Sequence, residues 1–338
     1  VIYLCAGFLI AVTAQEGMAV YTHLDDSQID ELLNDYTLGE FVSAQPIVAG
    51  IDNSNYLLKT TQGKFILTLY ESRLPTEDLP FYLHLMSYMQ SKGIDCPRTQ
   101  MRKDGELLSK VQGRFISITS FLQGSELSHI QPQHLTELGA FVAQMHKATE
   151  GFDRTLQNSL APNLLFPLFD KVKDRLDEFA PNLANDIADE LTQMQNWSQL
   201  DLPRGVIHAD IFPDNVFFIG DELTGIIDFY FACEEYLAYD LAVTFNAWCF
   251  DGVDNAEFNL AKAQQLISAY HKARPLSDAE LDLLSFLARC ASIRCLLTRS
   301  RDWFFQVEGA VVKPHDPMEY VKKWQFHSRA TPFKEYIL

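Results

Sequence analysis

The stretch VIHADIFPDNVFFIGDELTGIIDF, residues 206–229, sets His208, Asp210 and Asn215 between two apolar runs and brings Asp228 back at the end of the second. Two carboxylates and an amide oxygen are hard donors. They suit Mg²⁺, which takes a few protein oxygens and fills its remaining positions with water and substrate phosphates. The same groups are the working parts of phosphoryl transfer: one aspartate for the attacking hydroxyl, and an asparagine and an aspartate for metal that bridges phosphates. Taken singly, each is an ordinary turn or cap residue, and His208 reads as a buried, hydrogen-bonded histidine. The grouping between strand-like segments, with a Gly220-Asp221 turn that folds the second run back, points to chemistry.

Other elements must hold this stretch. Asp25 and Asp26 are candidate caps of an amphipathic helix with Ile29, Leu32, Leu33 and Tyr36 at helical spacing. Residues 45–71 read as a strand, a polar loop, a strand, a Gln62-Gly63 turn and a further strand. Residues 78–92 are helical in composition, and RFISITSFL (114–122) is a β-branched strand. Beyond Gly124 the character changes. Pro132 opens a helix with Leu135, Leu138, Val142 and Met145 on one face, which is core. Helical patterns follow over 167–179, 183–199 and most of 238–327, with one small β element at 206–228. The expectation is an α+β chain of two lobes with a cleft between them. Residues 18–122 form the first lobe and residues 123–338 the second, with residues 1–17 an extension outside the fold.

Composition bounds the partners. A chain of 338 residues with 47% hydrophobic residues can bury a large core. A formal net charge of −18 excludes nucleic acid and anionic membrane as main partners, because both need clustered Lys and Arg. The apolar run in residues 1–17 is too short for a membrane span and has no positive segment before it. Cys5, Cys96, Cys233, Cys249, Cys290 and Cys295 form no CxxC pair and no metal-ligand spacing. They read as reduced, packed thiols of a cytoplasmic protein.

The spacing His208-x-Asp210-x-x-x-x-Asn215, followed by Asp228-Phe229, resembles the catalytic loop and metal-binding aspartate of kinases. The short path from Asp228 to Asp240 is similar to the compact aminoglycoside-phosphotransferase and choline-kinase group. FILTLYE, VIHADIFPDNVFF, IDFYFACEEYLAYDLA, NAWCF and LLTRSRDW together resemble the homoserine kinases of that fold. The resemblance runs from about Met18 to the C-terminus. It implies a bilobal protein-kinase-like fold that uses ATP and Mg²⁺, with a β-rich N-terminal lobe (18–122) that binds nucleotide and a mostly helical C-terminal lobe (123–338) for catalysis and substrate. Asp210 would take or orient the hydroxyl proton, and Asn215 and Asp228 would hold the metal. His208 would be a structural member of the loop. Asp240 would bond loop amides and cap its helix. Gly50, Asp52, Asn53 and Ser54 would cover the ATP phosphates, and backbone from Ser120 to Leu122 would meet the adenine.

Two positions depart from the general kinase pattern. Thr68 and Phe212 stand where lysines are usual, so phosphate charge must be met by Mg²⁺, backbone N–H groups or another cation, with Lys59 and Arg73 as candidates. A homoserine site needs a cation for the substrate carboxylate. Arg294, Arg299 and Arg301 lie on one expected helix, and Arg294 and Arg301, seven apart, share a face. The arginine fork matches a carboxylate. Asn246, Tyr230 and Trp248 are further pocket candidates. The implied reaction is phosphorylation of L-homoserine. A kinase for another small alcohol (choline, an aminoglycoside or a methylthio-sugar) and a catalytically silent nucleotide-binding module are the alternatives.

Overall fold

The computed structural model describes residues 22–47, 53–71, 75–252, 254–306 and 314–329. The expected extension at 1–17 lies outside them. In chain order the first half carries α1 (Asp26–Leu33), β1 (Phe41–Ile47), β2 (Asn53–Thr60), β3 (Gly63–Tyr70), α2 (Leu79–Ser91), β4 (Ser109–Val111), β5 (Arg114–Ser120) and α3 (Pro132–Ala148). There follow α4 (Phe166–Leu176), α5 (Leu183–Gln193), β6 (Arg204–Ile207), β7 (Val216–Ile219), β8 (Glu222–Ile226), β9 (Cys233–Tyr236) and α6 (Leu237–Trp248). Last come β10 (Phe250–Asp251), β11 (Glu257–Phe258), α7 (Leu260–Ala273), α8 (Asp278–Phe304) and α9 (Met318–Arg329). The β-rich first third and the helical remainder match the expected α+β class. Among the described residues no helix is long and apolar enough to cross a membrane.

The first sheet is antiparallel in the order β1-β2-β3-β5-β4. Period-two alternation divides its faces. Tyr56, Leu58, Leu67, Leu69, Ile116 and Ile118 pack against Ile29, Leu32 and Leu33 of α1. That helix starts at Asp25, whose carboxylate accepts the Gln28 N–H at 2.9 Å, while the Gln28 side chain closes the capping box. The other face is hydroxyl-rich. Thr68 donates to Asn55 Oδ1 at 2.8 Å, and Tyr70 bonds Ser117 at 2.8 Å.

A second, larger core joins α2 to the helices of the C-terminal part. The stripe Leu135, Leu138, Val142 and Met145 is buried in it, as expected. On the same helix, Gly139 lets α7 approach, since a Cβ there would come within 2.3 Å of the Leu266 carbonyl oxygen.

Sequence reading placed one small β element in the second half; three two-stranded sheets are described there. The strand ending at Ile207 does not pair with the hairpin that follows it. It pairs with β9, with Ile207 opposite Cys233. This strand escaped detection because Glu234 and Glu235 break its apolar pattern. Glu235 is nonetheless buried, accepting from Trp197 Nε1 at 3.0 Å and Asn158 Nδ2 at 3.2 Å. The hairpin itself is as expected: β7 and β8 turn at Gly220-Asp221, with Ile219 opposite Glu222.

That hairpin is clamped against the first half. Thr224 donates to the Gln123 carbonyl at 2.7 Å, Phe218 exchanges hydrogen bonds with Ser125 at 2.9 and 3.1 Å, and the Ile226 N–H reaches the Asp95 carbonyl at 3.2 Å. At Gly225 φ is +142°, and a Cβ would lie 2.6 Å from the Asp95 oxygen. Gly225→Ala is therefore expected to destabilise the fold by about 2–3 kcal/mol, from overpacking and an unfavourable backbone. Urea unfolding of the two proteins measures it.

Candidate active site

The loops after β6 and β8 carry their residues in strained but heavily bonded backbone. Ala209 has φ +62° and Asp228 has φ +65°, a region that residues with a Cβ adopt only when their surroundings impose it. For Ala209 the imposing group is Asp240, in the first turn of α6. Its Oδ1 accepts the Ala209 N–H at 2.8 Å and its Oδ2 the His208 N–H at 3.0 Å. His146 of α3 bonds the same carboxylate at 2.9 Å. Burial opposes ionisation of Asp240, but the His146 and loop-amide hydrogen bonds outweigh it and hold its pKa below the ordinary range. Asp240 thus bonds the loop amides as expected. It does not cap its helix: Tyr236 occupies the cap position, and Asp240, a turn further in, is spent on the loop.

His208 ties the two acidic ends together. Its Nδ1 accepts the Asp210 N–H at 3.2 Å, so Nε2 carries the proton and donates to the Ile227 carbonyl at 2.9 Å. The ring stands edge-on to Phe229, with centroids 4.6 Å apart. On its other side Ile227 donates its N–H to the Asn215 carbonyl at 2.9 Å. The residue before Asp228 is therefore held by His208 and by Asn215. Burial drives the His208 pKa down to about 4, against the pull of Asp240, so the ring is neutral.

The Asn215 side chain donates through Nδ2 to the Asp210 carbonyl at 2.9 Å and to its carboxylate at 3.1 Å. Its oxygen is then the atom this geometry offers to a cation. Asp228, half-buried, lies near enough to raise the Asp210 pKa. Burial is the main cause of that rise, to about 7. Arg294 opposes it, and Asp228 and Asp214 add to it. An asparagine oxygen and a carboxylate beside a third acidic group fit Mg²⁺ that shares phosphate ligands. They do not form a self-sufficient cage, and among the described residues there is no cluster of three His, Cys, Asp or Glu ligands.

Not every expected residue joins this centre. Asn246 is buried in the helix packing, where Nδ2 bonds the Ala288 carbonyl at 2.7 Å and Ser292 at 3.0 Å, and Oδ1 meets His327 at 2.6 Å. Those bonds remove it from any substrate pocket. Arg301 emerges from the last turn of α8 and pairs with exposed Asp302 at 2.8 Å. Arg294, on the same helix, is 5% exposed, and its fork is occupied by the loop: Nη1 donates to the Ala209 carbonyl at 2.5 Å, and Nη2 lies 3.6 Å from Asp210 Oδ1. The two arginines share a face of α8 but not a depth, because residues 290–297 are buried and residues 301–303 are exposed. Arg299 pairs with Glu319 at 2.6 Å. Trp248 is buried and donates to the Ile211 carbonyl at 2.9 Å, so it braces the loop. Tyr230 does sit at the centre, bonding Tyr70 of β3 at 3.1 Å just after Asp228.

On the nucleotide side, Gly50, Asp52 and Arg73 lie outside the described residues. Asn53 and Ser54 open β2, and both are committed to Glu71. Ser54 donates to its Oε1 at 2.9 Å, and Asn53 Oδ1 accepts its N–H at 3.4 Å. Ser54 is fully buried, so its hydroxyl anchors the loop's stem and does not face phosphate. Ser120 exchanges bonds with Arg98 at 2.8 Å in both directions, and the Phe121 N–H reaches the Lys64 carbonyl at 3.3 Å. Lys59 pairs across the sheet with Lys64 beside the Gln62-Gly63 turn, roughly 20 Å along the strand from Asn53 at about 3.3 Å per residue. That distance removes it as the phosphate cation. Thr68 is buried on Asn55, and Phe212 packs against the larger core. Sequence reasoning missed His146 and Glu71. Neither stands in a local pattern; their partners lie on other elements.

Residues 43–276 match the family described as phosphotransferase enzymes. Over 321 residues the chain is 44% identical to the homoserine kinase of Agrobacterium fabrum (strain C58 / ATCC 33970), covering 95% of this chain and 99% of that one. It is likewise 44% identical to the homoserine kinase of Parvibaculum lavamentivorans, covering 92% of this chain and 96% of the other. Among solved structures it is similar to amicoumacin kinase in complex with AMP-PNP, Ca²⁺ and Ami, with a TM-score of 0.68, 14% identity and coverage of 91% and 95%. It is also similar to choline kinase from Cryptosporidium parvum Iowa II, with a TM-score of 0.64, 14% identity and coverage of 93% and 96%. Both likenesses concern the fold.

The buried neutral His208 makes a pH prediction. Its folded pKa, about 4, is below the ordinary 6.5, so its contribution is complete above 6.5 and is lost as pH falls from there toward 4. The destabilisation caused by His208→Gln should be smaller at pH 5 than at pH 7 by about 2 kcal/mol. Urea titrations of both proteins at the two pH values read the difference, in which groups that do not interact with His208 cancel.

Proposed function

Because the chain belongs to the phosphotransferase enzyme family and, within it, to the homoserine kinases, we propose that it transfers the γ-phosphate of ATP to the side-chain hydroxyl of L-homoserine, a step toward threonine. The observation that carries the mechanism is the joint placement of Asp210, Asn215 and Asp228 by one neutral histidine and one buried carboxylate. The homoserine hydroxyl oxygen forms a bond to the γ-phosphorus as the bond from that phosphorus to the β–γ bridging oxygen breaks. ADP leaves, and the hydroxyl proton passes to the Asp210 carboxylate. A carboxylate raised to about 7 is a better acceptor than an ordinary one. Asn215 and Asp228 would hold Mg²⁺, which when bound neutralises phosphate charge and aligns the phosphates.

The backbone about residues 50–54 would meet the phosphates, and the backbone of residues 120–122 the base. Tyr230 and Phe231, on the turn just after Asp228, flank the acceptor end. Thr68 and Phe212 place no lysine there, so the phosphates would depend on Mg²⁺, backbone N–H groups or another cation such as Arg73. The buried free thiols Cys96, Cys233, Cys249, Cys290 and Cys295 suit the reducing cytoplasm.

A coupled ADP-release assay over a panel of amino alcohols tests the reading. Turnover should be greatest with L-homoserine. Asp210→Asn should lower kcat by about 10²- to 10⁴-fold with ATP affinity unchanged. ATP binding without turnover on any alcohol would establish a silent module instead, and preference for choline or an aminoglycoside would move the substrate.

A further inference from the structure

Arg294 was expected to bind substrate, and its surroundings assign it differently. It stands in the middle of α8, 5% exposed, with three contacts to the catalytic centre. Nη1 donates to the Ala209 carbonyl at 2.5 Å, Nη2 lies 3.6 Å from Asp210 Oδ1, and the guanidinium sits 5.3 Å from the centroid of Phe231. A buried guanidinium needs paired, hydrogen-bonded neighbours. Among the described residues, Asp210 is the carboxylate within ion-pair distance of it. Cys233, Tyr239 and Cys295, which also surround it, are held neutral by burial.

The contact to Ala209 is the telling one. Ala209 has φ +62°, and its N–H is held by Asp240 at 2.8 Å. Its carbonyl is held by Arg294. A left-handed alanine immediately before Asp210 is thus gripped from one side by a carboxylate on α6 and from the other by a guanidinium on α8. A left-handed residue with a Cβ persists when its neighbours over-determine it. Releasing either grip lets the Asp210 carboxylate swing.

We propose that Arg294 is a positioning residue, which clamps the Ala209 carbonyl and the Asp210 carboxylate from behind so that Asp210 faces the acceptor hydroxyl, and that it does not bind the substrate carboxylate. This rests on the reading of Asp210 as the proton acceptor. Misplacing a reacting group by about 1 Å costs on the order of 100-fold in rate. Arg294→Met should lower kcat by about that factor, while KM for homoserine and for ATP stays within about three-fold. Arg294→Lys, which keeps the charge and one donor, should recover part of the loss.

A double-mutant cycle with Asp210→Asn, read by single-turnover phosphoryl transfer, separates positioning from general damage. If Arg294 acts through Asp210, Arg294→Met has little further effect in the Asp210→Asn background. A loss of equal size in both backgrounds overturns the proposal. So does a raised KM for homoserine with kcat unchanged, which would restore the substrate-clamp role. If the Met variant does not fold, as judged by thermal unfolding and ATP binding, Arg294→Lys is carried through the same cycle with the same criteria. Full turnover in Asp210→Asn alone would refute the reading of Asp210, whatever Arg294 does.

Discussion

The site depends on one buried carboxylate. Asp240 accepts two consecutive backbone N–H groups of the catalytic loop and the ring of His146, and so fixes the left-handed turn at Ala209 from which Asp210 projects. A buried acid is costly unless it is fully hydrogen-bonded. That cost makes the arrangement specific: α3, β6 and α6 must all be in place before the charge is satisfied. The relay continues outward, since His146 also bonds Tyr270 of α7 at 2.8 Å, and Arg274 there pairs with Glu280 of α8 at 2.8 Å. Much of the helical half therefore leans on this point.

Around that anchor the chain carries Thr68 and Phe212 where lysines are usual in kinases. Thr68 is occupied by Asn55, and the hydroxyl face of the first sheet continues through Ser117 and Tyr70 to Tyr230 beside Asp228. Glu71 braces the start of β2 through Asn53 and Ser54, with Arg114 3.5 Å away. The start of β2 and the β7–β8 hairpin are thus each held by hydrogen bonds to other elements, without a cation at position 68. Position and preorganised dipoles can supply most of what phosphoryl transfer requires.

What was legible in the sequence had short range. The hairpin of β7 and β8, the cap at Asp25, the core stripe on α3 and the grouping of Asp210, Asn215 and Asp228 all follow from neighbours a few residues apart. The illegible parts are long-range. β9 hid because its glutamates look solvent-exposed, although Glu235 is buried on Trp197, Asn158 and Arg204. Asn246 looked like a pocket residue because a buried amide and a ligand-binding amide have the same sequence signature.

The sequence by itself determined which polar groups share one strand–loop–hairpin unit. His208, Asp210, Asn215 and Asp228 lie between apolar runs short enough that a single turn at Gly220-Asp221 brings them together. Only the tertiary structure decided how the arginines of α8 are used. Helical periodicity gives the direction of Arg294 and Arg301 about their axis, but not the depth at which the helix is buried along its length. Depth is set by packing against α4, α6 and α9, and it turned Arg294 inward onto Asp210 and left Arg301 in solvent.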